Sequence, residues 1–405
     1  MPFVQIGKSC WLKISNSLMI NTFGKLGKVA LQRQYIHKKI QIFFALLLIK
    51  CLDFLSEGIF LLIFPMTTII THLDADGICS ASLVKMVKEY CDAYVYFSHP
   101  AGLLRDLQSI PSDDLIICDI ALDQKAYPEI FKTLNAISEN FSVTYIDHHI
   151  QLDGLPEKVV NIHNLNVSAT ELTYRYFYYQ LPRWADHIAL LGAICDYLDD
   201  SPLMQRLMHH YERRTLFLDA GLLAQGLKKI GKKDHYDKLR ELIHHFSHHK
   251  APTDIPELIQ AAIKATKRDN ERRPIILSLY HTEKNIAWVQ DPPTLSYSKI
   301  AHWILGDSGK HLGLVIRTLN SKRLLVDITI RGWRRIDLRK IVPEIAIKLG
   351  GSAGGHANAV GVRIPQKNCQ LFLRMLDNHP IFSTLEPMPK VEDLIPLKIP
   401  KYTFL

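Results

Sequence analysis

Short apolar runs alternate along the chain with stretches in which apolar residues recur at helical spacing. The apolar runs of the N-terminal part predict four strands, at Thr67–Thr71, Ala93–Phe97, Leu115–Cys118 and Val143–Ile146. The periodic stretches predict helices at Ser80–Tyr90 and Glu129–Ser138. Strands that alternate with helices are typical of an α/β domain with a largely parallel sheet.

The middle of the chain has a predominantly helical pattern, and strand-like runs return after it. Helices are predicted at Ser168–Tyr179, at His187–Tyr197 and through most of Leu203–His249. A boundary is expected near Ala251–Pro256, or just after the charged run Lys267–Arg273. Beyond it, a second, smaller sheet is predicted from the runs Ile275–Tyr280, Ile286–Gln290, Gly313–Thr318 and Leu324–Ile330, with covering helices at Ser298–Leu305 and Leu338–Leu349.

This pattern divides the chain into five segments. They are an N-terminal extension (1–65), a first α/β domain with a helical connector (66–250), a linker (251–272), a smaller C-terminal α/β domain (273–378) and a proline-rich tail (379–405). The extension has two apolar stretches, but charged residues between them leave no span of about 18 apolar residues for a membrane helix. It also lacks the layout of a signal peptide. We expect the core to begin at Met66, and a membrane anchor is not favoured.

Composition narrows the class of protein. The 405 residues are 47% hydrophobic, which is enough for two cores and excludes a disordered chain. The seven cysteines are scattered and include no CxxC pair, which argues against a disulfide framework and favours a reducing cytoplasm. Most of the net charge of +9 comes from the extension, which carries +6. The run Arg317–Lys340 holds eight basic residues around Trp333, and this is either a phosphate-tracking face or an ordinary solvated surface.

Acidic and histidine residues follow several of the apolar runs. They are His72, Asp74 and Asp76, then Asp119, then Asp147, His148 and His149, and finally Asp196. A single Asp-x-Asp pair is usually a turn or a helix N-cap. Several carboxylates at the ends of buried runs are different, because burying each without a partner costs several kcal/mol. Shared cations would remove that cost, and sites for two divalent metals commonly cleave phosphate esters.

These motifs resemble the DHH phosphoesterase superfamily. A glycine-rich run, Gly350–Gly361, is similar to the signature of its DHH-associated C-terminal domain and completes the match over Met66–Pro365. The resemblance implies an α/β fold with a mostly parallel N-terminal sheet, a helical connector and a smaller C-terminal α/β domain. It also implies a metal-dependent hydrolase of phosphate esters that uses two divalent ions, preferably Mn²⁺, with Mg²⁺ as the alternative.

The resemblance also implies roles for individual residues. Asp74 would bind one metal and Asp76 the other, with Asp119 bridging both and with His148 and Asp196 completing the second site. His72 is either a further ligand or a donor to one. Asp147 would orient His148, and His149 would meet the scissile phosphate, so that Asp119, His148 and His149 form the catalytic set. Substrate phosphates would be held by Arg331, Gly354, Gly355 and His356.

Two departures from the family pattern leave alternatives open. Asp196 is followed by Tyr197 where the family often has threonine, so that Asp199 or Asp200 is an alternative ligand. The pair Ser352-Ala353 interrupts the glycine run and would narrow or re-aim the phosphate nest.

The leading interpretation is a cytoplasmic enzyme that acts on the ends of short or single-stranded RNA or DNA. One alternative is a phosphatase of small nucleotides such as 3′-phosphoadenosine 5′-phosphate, or a cyclic-dinucleotide phosphodiesterase. Another is a non-catalytic scaffold of the same fold. Replication or repair proteins are candidate partners in each case.

Overall fold

The computed structural model describes residues 67–110, 113–151, 154–230, 234–293, 296–319, 324–333 and 336–385. All of them belong to a unit that begins at Pro65. The extension, Met66 and the tail beyond residue 385 lie outside the described residues. So do four of the basic residues of the run Arg317–Lys340, namely Lys322, Arg323, Arg334 and Arg335.

A five-stranded parallel sheet forms the first domain. Its strands are β1 (Thr68–Thr71), β2 (Tyr94–Phe97), β3 (Leu115–Cys118), β4 (Val143–Asp147) and β5 (Val160–His163). Their spatial order is β2-β1-β3-β4-β5, and every pairing is parallel. Parallel pairing needs crossover connections, which explains why helices separate most of the strands. The fifth strand was not predicted, and it is the exposed edge of the sheet.

Helices cover both faces of this sheet. They are α1 (Ala75–Met86), α2 (Leu103–Ser109), α3 (Tyr127–Ser138), α4 (Ala169–Phe177) and α5 (Ala185–Cys195). Ile69 packs into the core beside α1, α4 and α5, whereas its neighbour Ile70 packs into the core beside α2 and α3. Successive residues of a strand point to opposite faces, so each buried strand stabilises two layers of helices.

Four further helices connect the two sheets. They are α6 (Pro202–Met208), α7 (Arg213–Gly226), α8 (His235–Ser247) and α9 (Pro256–Leu277). The segment predicted as a linker, 251–272, therefore lies largely in α9. The strand predicted at Ile275–Tyr280 is wrong, because α9 continues through Pro274 as far as Leu277. A proline usually indicates a helix boundary, and here the packing of Ile276 in the second core overrides that signal.

The second domain is built on a six-stranded mixed sheet. Its strands are β6 (His281–Thr282), β7 (Ile286–Gln290), β8 (Leu312–Thr318), β9 (Leu325–Gly332), β10 (Ser352–His356) and β11 (Ala359–Pro365). The order is β10-β11-β9-β8-β7-β6, with only β7 and β8 parallel. Three helices complete the domain: α10 (Tyr297–Ser308), α11 (Val342–Lys348) and α12 (Cys369–Asp377).

The second core repeats the arrangement of the first. Leu314 and Ile316 pack on the side of α11 and α12, whereas Val315 between them packs on the side of α10. The start of the predicted tail forms a short 3-10 turn, Pro380–Thr384, that buries Phe382 in this core. The predicted α/β class, with a parallel N-terminal sheet and a separate C-terminal sheet, is confirmed. In the described part of the chain, no helix combines the length and apolarity needed to span a membrane.

Candidate metal centre

The carboxyl ends of three adjacent strands carry the acidic and histidine motifs. His72 and Asp74 follow β1, Asp119 follows β3, and His148 follows β4. Because β1, β3 and β4 are parallel neighbours, these ends meet at one edge of the sheet. Open α/β sheets place their sites at that edge.

Helix α1 begins against the end of β1, five residues earlier than predicted. Asp74 is its N-cap, and its Oδ1 accepts a hydrogen bond of 3.1 Å from the backbone N–H of Gly77. A Cβ atom at Gly77 would lie 2.6 Å from the carbonyl oxygen of His72, so only glycine permits this close start. Residues Ala75 to Val84 are all buried, so the helix shows no amphipathic period that would have revealed its beginning.

Asp76 is held by the N-terminus of α4. Its carboxylate accepts backbone hydrogen bonds from Ala169 and Thr170, each of 2.8 Å, and a further one from the Thr170 hydroxyl. The first N–H groups of a helix lack partners within the helix and favour a negative charge. Sequence reasoning missed Thr170, which lies 94 residues from Asp76 and carries no local signal.

Asp119 lies between the two ends of the cluster. It is buried and adopts a left-handed backbone, with φ of 57°. Its Oδ2 is 3.6 Å from Nδ1 of His72, and its Oδ1 is 3.4 Å from Nε2 of His148. The carboxylate of this strained residue therefore faces His72 on one side and His148 on the other.

Three groups of ligand atoms include Asp119, and the atoms of each group lie within 4.8 Å of one another. Asp119 is grouped with His72 and Asp74, with Asp76 and His148, and with Asp147 and His149. Asp196 follows the C-terminus of α5, and its Oδ2 lies 3.7 Å from Nε2 of His148. Neither Asp196 nor the alternative ligands Asp199 and Asp200 belong to such a group among the described residues, and the contact with His148 is what favours Asp196.

The charges of this cluster do not balance within the protein. Burial, together with the carboxylates of Asp74 and Asp76, raises the pKa of Asp119 well above its usual range. Burial and Asp76 likewise raise the pKa of Asp196. Burial lowers the pKa of His72, but the nearby Asp74 and Asp119 outweigh it, so that the net pKa is well above 6.5.

Two buried oxygens of the cluster indicate a site for cations. Oδ2 of Asp119 and Oδ2 of Asp196 have no hydrogen-bond partner among the described residues. Buried oxygens without partners are costly, and a bound cation would satisfy both. Carboxylates combined with imidazoles suit Mn²⁺, and carboxylates also suit Mg²⁺. The donor set therefore fits two divalent ions that share Asp119.

The structure corrects one expectation about Asp147. Its Oδ1 lies 2.7 Å from Nδ1 of His149, and its Oδ2 accepts a 3.2 Å hydrogen bond from the backbone of His149. It orients His149 and not His148, whose Nδ1 has no partner among the described residues. Burial opposes both charges, yet the pairing lowers the pKa of Asp147 and raises that of His149.

The second domain brings His356 to the centre. Its ring centroid lies 4.8 Å from that of His148 and 4.7 Å from that of His149. Burial lowers the pKa of His356 well below 6.5, and the adjacent His149 and His148 lower it further. A neutral ring at this position is able to approach the other two without repulsion.

The glycine run, in which the sequence predicted a phosphate nest, contributes to two strands. Ser352–His356 pairs antiparallel with Ala359–Pro365. Gly355 has a φ of 142°, and a Cβ atom there would lie 2.2 Å from the carbonyl of Ala359. Gly354 and Gly355 instead line a cavity of about 540 Å³ that His149 borders from the first domain.

Arg331 differs in its ion pairing from three other described arginines of the second domain. Arg317 and Arg363 pair with Asp327, and Arg339 pairs with Asp337. Arg331 makes no ion pair in the described part of the chain, and its Nη2 donates a 2.6 Å hydrogen bond to Oγ of Ser298. Burial lowers its pKa, while Tyr197 and Asp196 act in the opposite direction. Its charge therefore lies close to the end of α5.

Comparisons with known families agree with this geometry. The sequence matches the DHH family, N-terminal domain, over residues 66–194 and the DHHA1 domain over residues 287–379. Together the two matches cover more than half of the chain. No curated protein sequence gives a significant match.

Solved structures share the fold at low sequence identity. A DHH domain from a member of a ribosomal protein family has a TM-score of 0.56 at 14% identity, covering 80% of this chain and 88% of that one. RecJ from Thermus thermophilus, in complex with Mn²⁺, has a TM-score of 0.52 at 18% identity, covering 80% and 53%. A pGpG-specific phosphodiesterase from Vibrio cholerae has a TM-score of 0.48 at 14% identity, covering 77% and 97%.

Proposed function

The chain belongs to the DHH phosphoesterase superfamily, and from that premise we propose that it is a phosphodiesterase that removes nucleotides from the ends of short or single-stranded nucleic acids. The observation that carries the proposal is the set of ligand groups that share Asp119. A superfamily member that had lost catalysis would be expected to lack some of these acids. All of the ligand residues expected from the sequence are present, which disfavours the scaffold.

The proposed metal ligands are His72, Asp74, Asp76, Asp119, His148 and Asp196. Two bound ions would supply an activated water and neutralise charge on the phosphate. We propose Mn²⁺ as the preferred ion and Mg²⁺ as a substitute, following the Mn²⁺ of the RecJ structure that shares this fold.

The remaining residues of the centre would handle the phosphate. Nδ1 of His149 donates to Asp147, and this pairing favours the protonated ring, whose Nε2–H would then donate to a phosphate oxygen. His356 adds a second imidazole at van der Waals distance. Arg331 would hold a phosphate that is not cleaved, since it makes no ion pair among the described residues.

The size of the cavity supports short substrates. About 540 Å³ lies between His149 of the first domain and Gly354 and Gly355 of the second. A volume of this order is typical of a site for a small molecule. It also suits the second candidate function, hydrolysis of a small nucleotide such as 3′-phosphoadenosine 5′-phosphate or of a cyclic dinucleotide. We further propose a cytoplasmic enzyme that works alongside replication or repair proteins.

Incubation with Mn²⁺ and a panel of labelled substrates tests the proposal. The panel comprises RNA and DNA oligomers from dinucleotides upward, small bisphosphates and cyclic dinucleotides. We expect mononucleotides to be released from short oligomers. Asp196→Asn should lose Mn²⁺ binding and hydrolysis, whereas the matched variant Asp199→Asn should keep both. A protein that binds Mn²⁺ but cleaves no member of the panel would instead be a scaffold.

A further inference from the structure

Tyr197 occupies an unusual position next to the metal centre. It directly follows Asp196, adopts a left-handed backbone with φ of 61°, and is 63% exposed. A left-handed conformation disfavours residues with a bulky side chain, and glycine or asparagine would fit it better. An exposed ring cannot be explained by burial in the core either. Neither backbone conformation nor core packing therefore explains why an aromatic ring stands at this position.

The ring of Tyr197 faces a second ring from the other domain. His302 lies on α10, and the two rings are nearly parallel, with planes at 20° and centroids 6.3 Å apart. Ser298 lies one turn earlier on the same helix and holds the guanidinium of Arg331. Residues four apart share a helix face, so His302 and Ser298, which binds Arg331, lie on the same face of α10.

A positive charge lies beside this pair of rings. Burial lowers the pKa of Arg331, and the neighbouring Tyr197 and Asp196 oppose that shift. Burial also lowers the pKa of His302, and the charge of Arg331 lowers it further. A proposed metal ligand, an arginine and a pair of nearly parallel rings are therefore neighbours at this place. These three kinds of group suit the cleaved phosphate, the second phosphate and the base of a nucleotide.

We propose that Tyr197 and His302 form a stacking site for a nucleobase, with Arg331 on the phosphate next to that base. This inference rests on the proposed function and names the part of the substrate that the enzyme recognises. Aromatic rings bind any base through its face, so the site would favour nucleotides over other esters without reading sequence. A base between two rings spaces them by about 7 Å, roughly twice the stacking distance of about 3.4 Å. The present separation needs only a slight opening to admit one.

A substrate without the base separates stacking from a merely structural contact. The test compares a dinucleotide with analogues in which one base is replaced by an abasic spacer. For the normal dinucleotide, we expect Tyr197→Ala and His302→Ala each to raise KM by about 5- to 150-fold with little change in kcat. Each variant should match the wild type on one of the abasic analogues, because the lost contact is then already absent.

A conservative variant and a structural check complete the kinetic test. Tyr197→Phe keeps the ring and should restore KM on the normal dinucleotide. His302→Ala is an independent test, because alanine fits the regular helix α10 even if Tyr197→Ala folds poorly. Equal losses on normal and abasic substrates, or a loss in Tyr197→Phe, would overturn the stacking site.

Equilibrium binding makes the inference independent of hydrolysis. The fluorescence of 2-aminopurine falls when the base stacks, so a dinucleotide that carries it on a non-hydrolysable phosphonate linkage reports stacking in Mg²⁺, without turnover. We expect quenching by the wild type and by Tyr197→Phe, and little by Tyr197→Ala or His302→Ala. Quenching without hydrolysis of any substrate would refute the proposed function but would still support the stacking site. No quenching by the wild type, or equal quenching by all variants, would end the stacking site alone.

Discussion

Asp119 shows how much of this centre depends on one side chain. It is 2% exposed, its backbone is left-handed, and one of its oxygens lacks a hydrogen-bond partner among the described residues. A non-glycine residue in such a conformation is held there by its surroundings, and strain of this kind concentrates at functional sites. The strain aims one carboxylate at His72 and His148 together.

Asp119→Asn should separate function from stability. Asparagine tolerates a left-handed backbone, so the substitution removes only the negative charge. The metal-free variant should unfold at the same temperature as the wild type or at a higher one, since the repulsion with Asp74 and Asp76 is relieved. Hydrolysis should be abolished in a standard assay with Mn²⁺.

Thermal unfolding with and without Mn²⁺ checks the reason for that loss. In the wild type, an ion at roughly 100 times its Kd should stabilise the fold by about 2.7 kcal/mol, and the variant should lose most of this gain. Asp199→Asn, three residues beyond Asp196, is the control that should keep it. Wild-type turnover by Asp119→Asn would refute the bridging role.

Helix α4 contributes to the centre through its N-terminus. Ala169 and Thr170 donate to the carboxylate of Asp76, so the helix fixes the orientation of a proposed ligand that belongs to α1. Groups that orient a metal ligand in this way commonly affect metal affinity by about 10- to 100-fold. The helix would therefore influence a bound metal through Asp76, without contacting the metal itself.

Thr170→Val tests this link, because valine removes the hydroxyl and keeps a branched side chain. Mn²⁺ affinity, measured by calorimetry, should fall by about tenfold or more. The free energy of unfolding should fall by about 1–3 kcal/mol, because the buried Ser80 also loses its partner. Thr173→Val, one turn later on the same helix, should lower stability without changing Mn²⁺ affinity. An unchanged affinity in Thr170→Val would show that the backbone donors alone suffice.

Arg331 on strand β9 is proposed to bind a second phosphate of the substrate. Arg331→Ala should lower kcat/KM on oligonucleotides by about ten- to more than a hundredfold, as expected when a charge-assisted contact of roughly 1.5–3 kcal/mol is lost. Bis-p-nitrophenyl phosphate has no second phosphate and should be hydrolysed nearly as before. Arg374→Ala, an exposed arginine of α12, is the matched control. Equal losses on both substrates, or loss of bound Mn²⁺, would place Arg331 among the groups that build the metal centre.

The proposed function divides chemistry and recognition between the two sheets of the molecule. The proposed ligands lie on the first sheet and its helices, whereas Arg331 and His356 come from the second. The imidazoles of His148, His149 and His356 meet where the two domains approach each other. Substrate selection would then depend on how the second domain is placed over the first.

Deletion of residues 1–65 tests whether the two-domain unit is sufficient. The unit begins at Pro65, and the family match begins at residue 66. Protein that starts at Met66 should be soluble, should unfold cooperatively and should keep the kcat/KM of the full chain on short oligonucleotides. Aggregation or loss of activity would show that the extension contributes to the enzyme.

The sequence by itself determined four of the five strands of the first sheet and the residues that follow them at its edge. Short apolar runs that end in acids are local features, and parallel pairing then brings Asp74, Asp119 and His148 together without further information. The same reasoning failed where local and tertiary signals conflict. Helix α1 is buried on all sides and has no period, and α9 continues through Pro274 because its end packs in the second core.

Only the tertiary structure decided which groups pair across long distances in the chain. Three such contacts join residues that are 33 to 105 positions apart. They are the hydrogen bond of Thr170 to Asp76, the hydrogen bond of Arg331 to Ser298, and the stacking of the Tyr197 ring beside that of His302. Even the short-range pairing of Asp147 with His149, and not with His148, depends on the tertiary structure. Neighbouring carboxylates and a ring of the second domain fix the position of His148. Hydrophobic patterning acts over a few residues, whereas these contacts follow from how complete helices and sheets pack, and no local pattern encodes that packing.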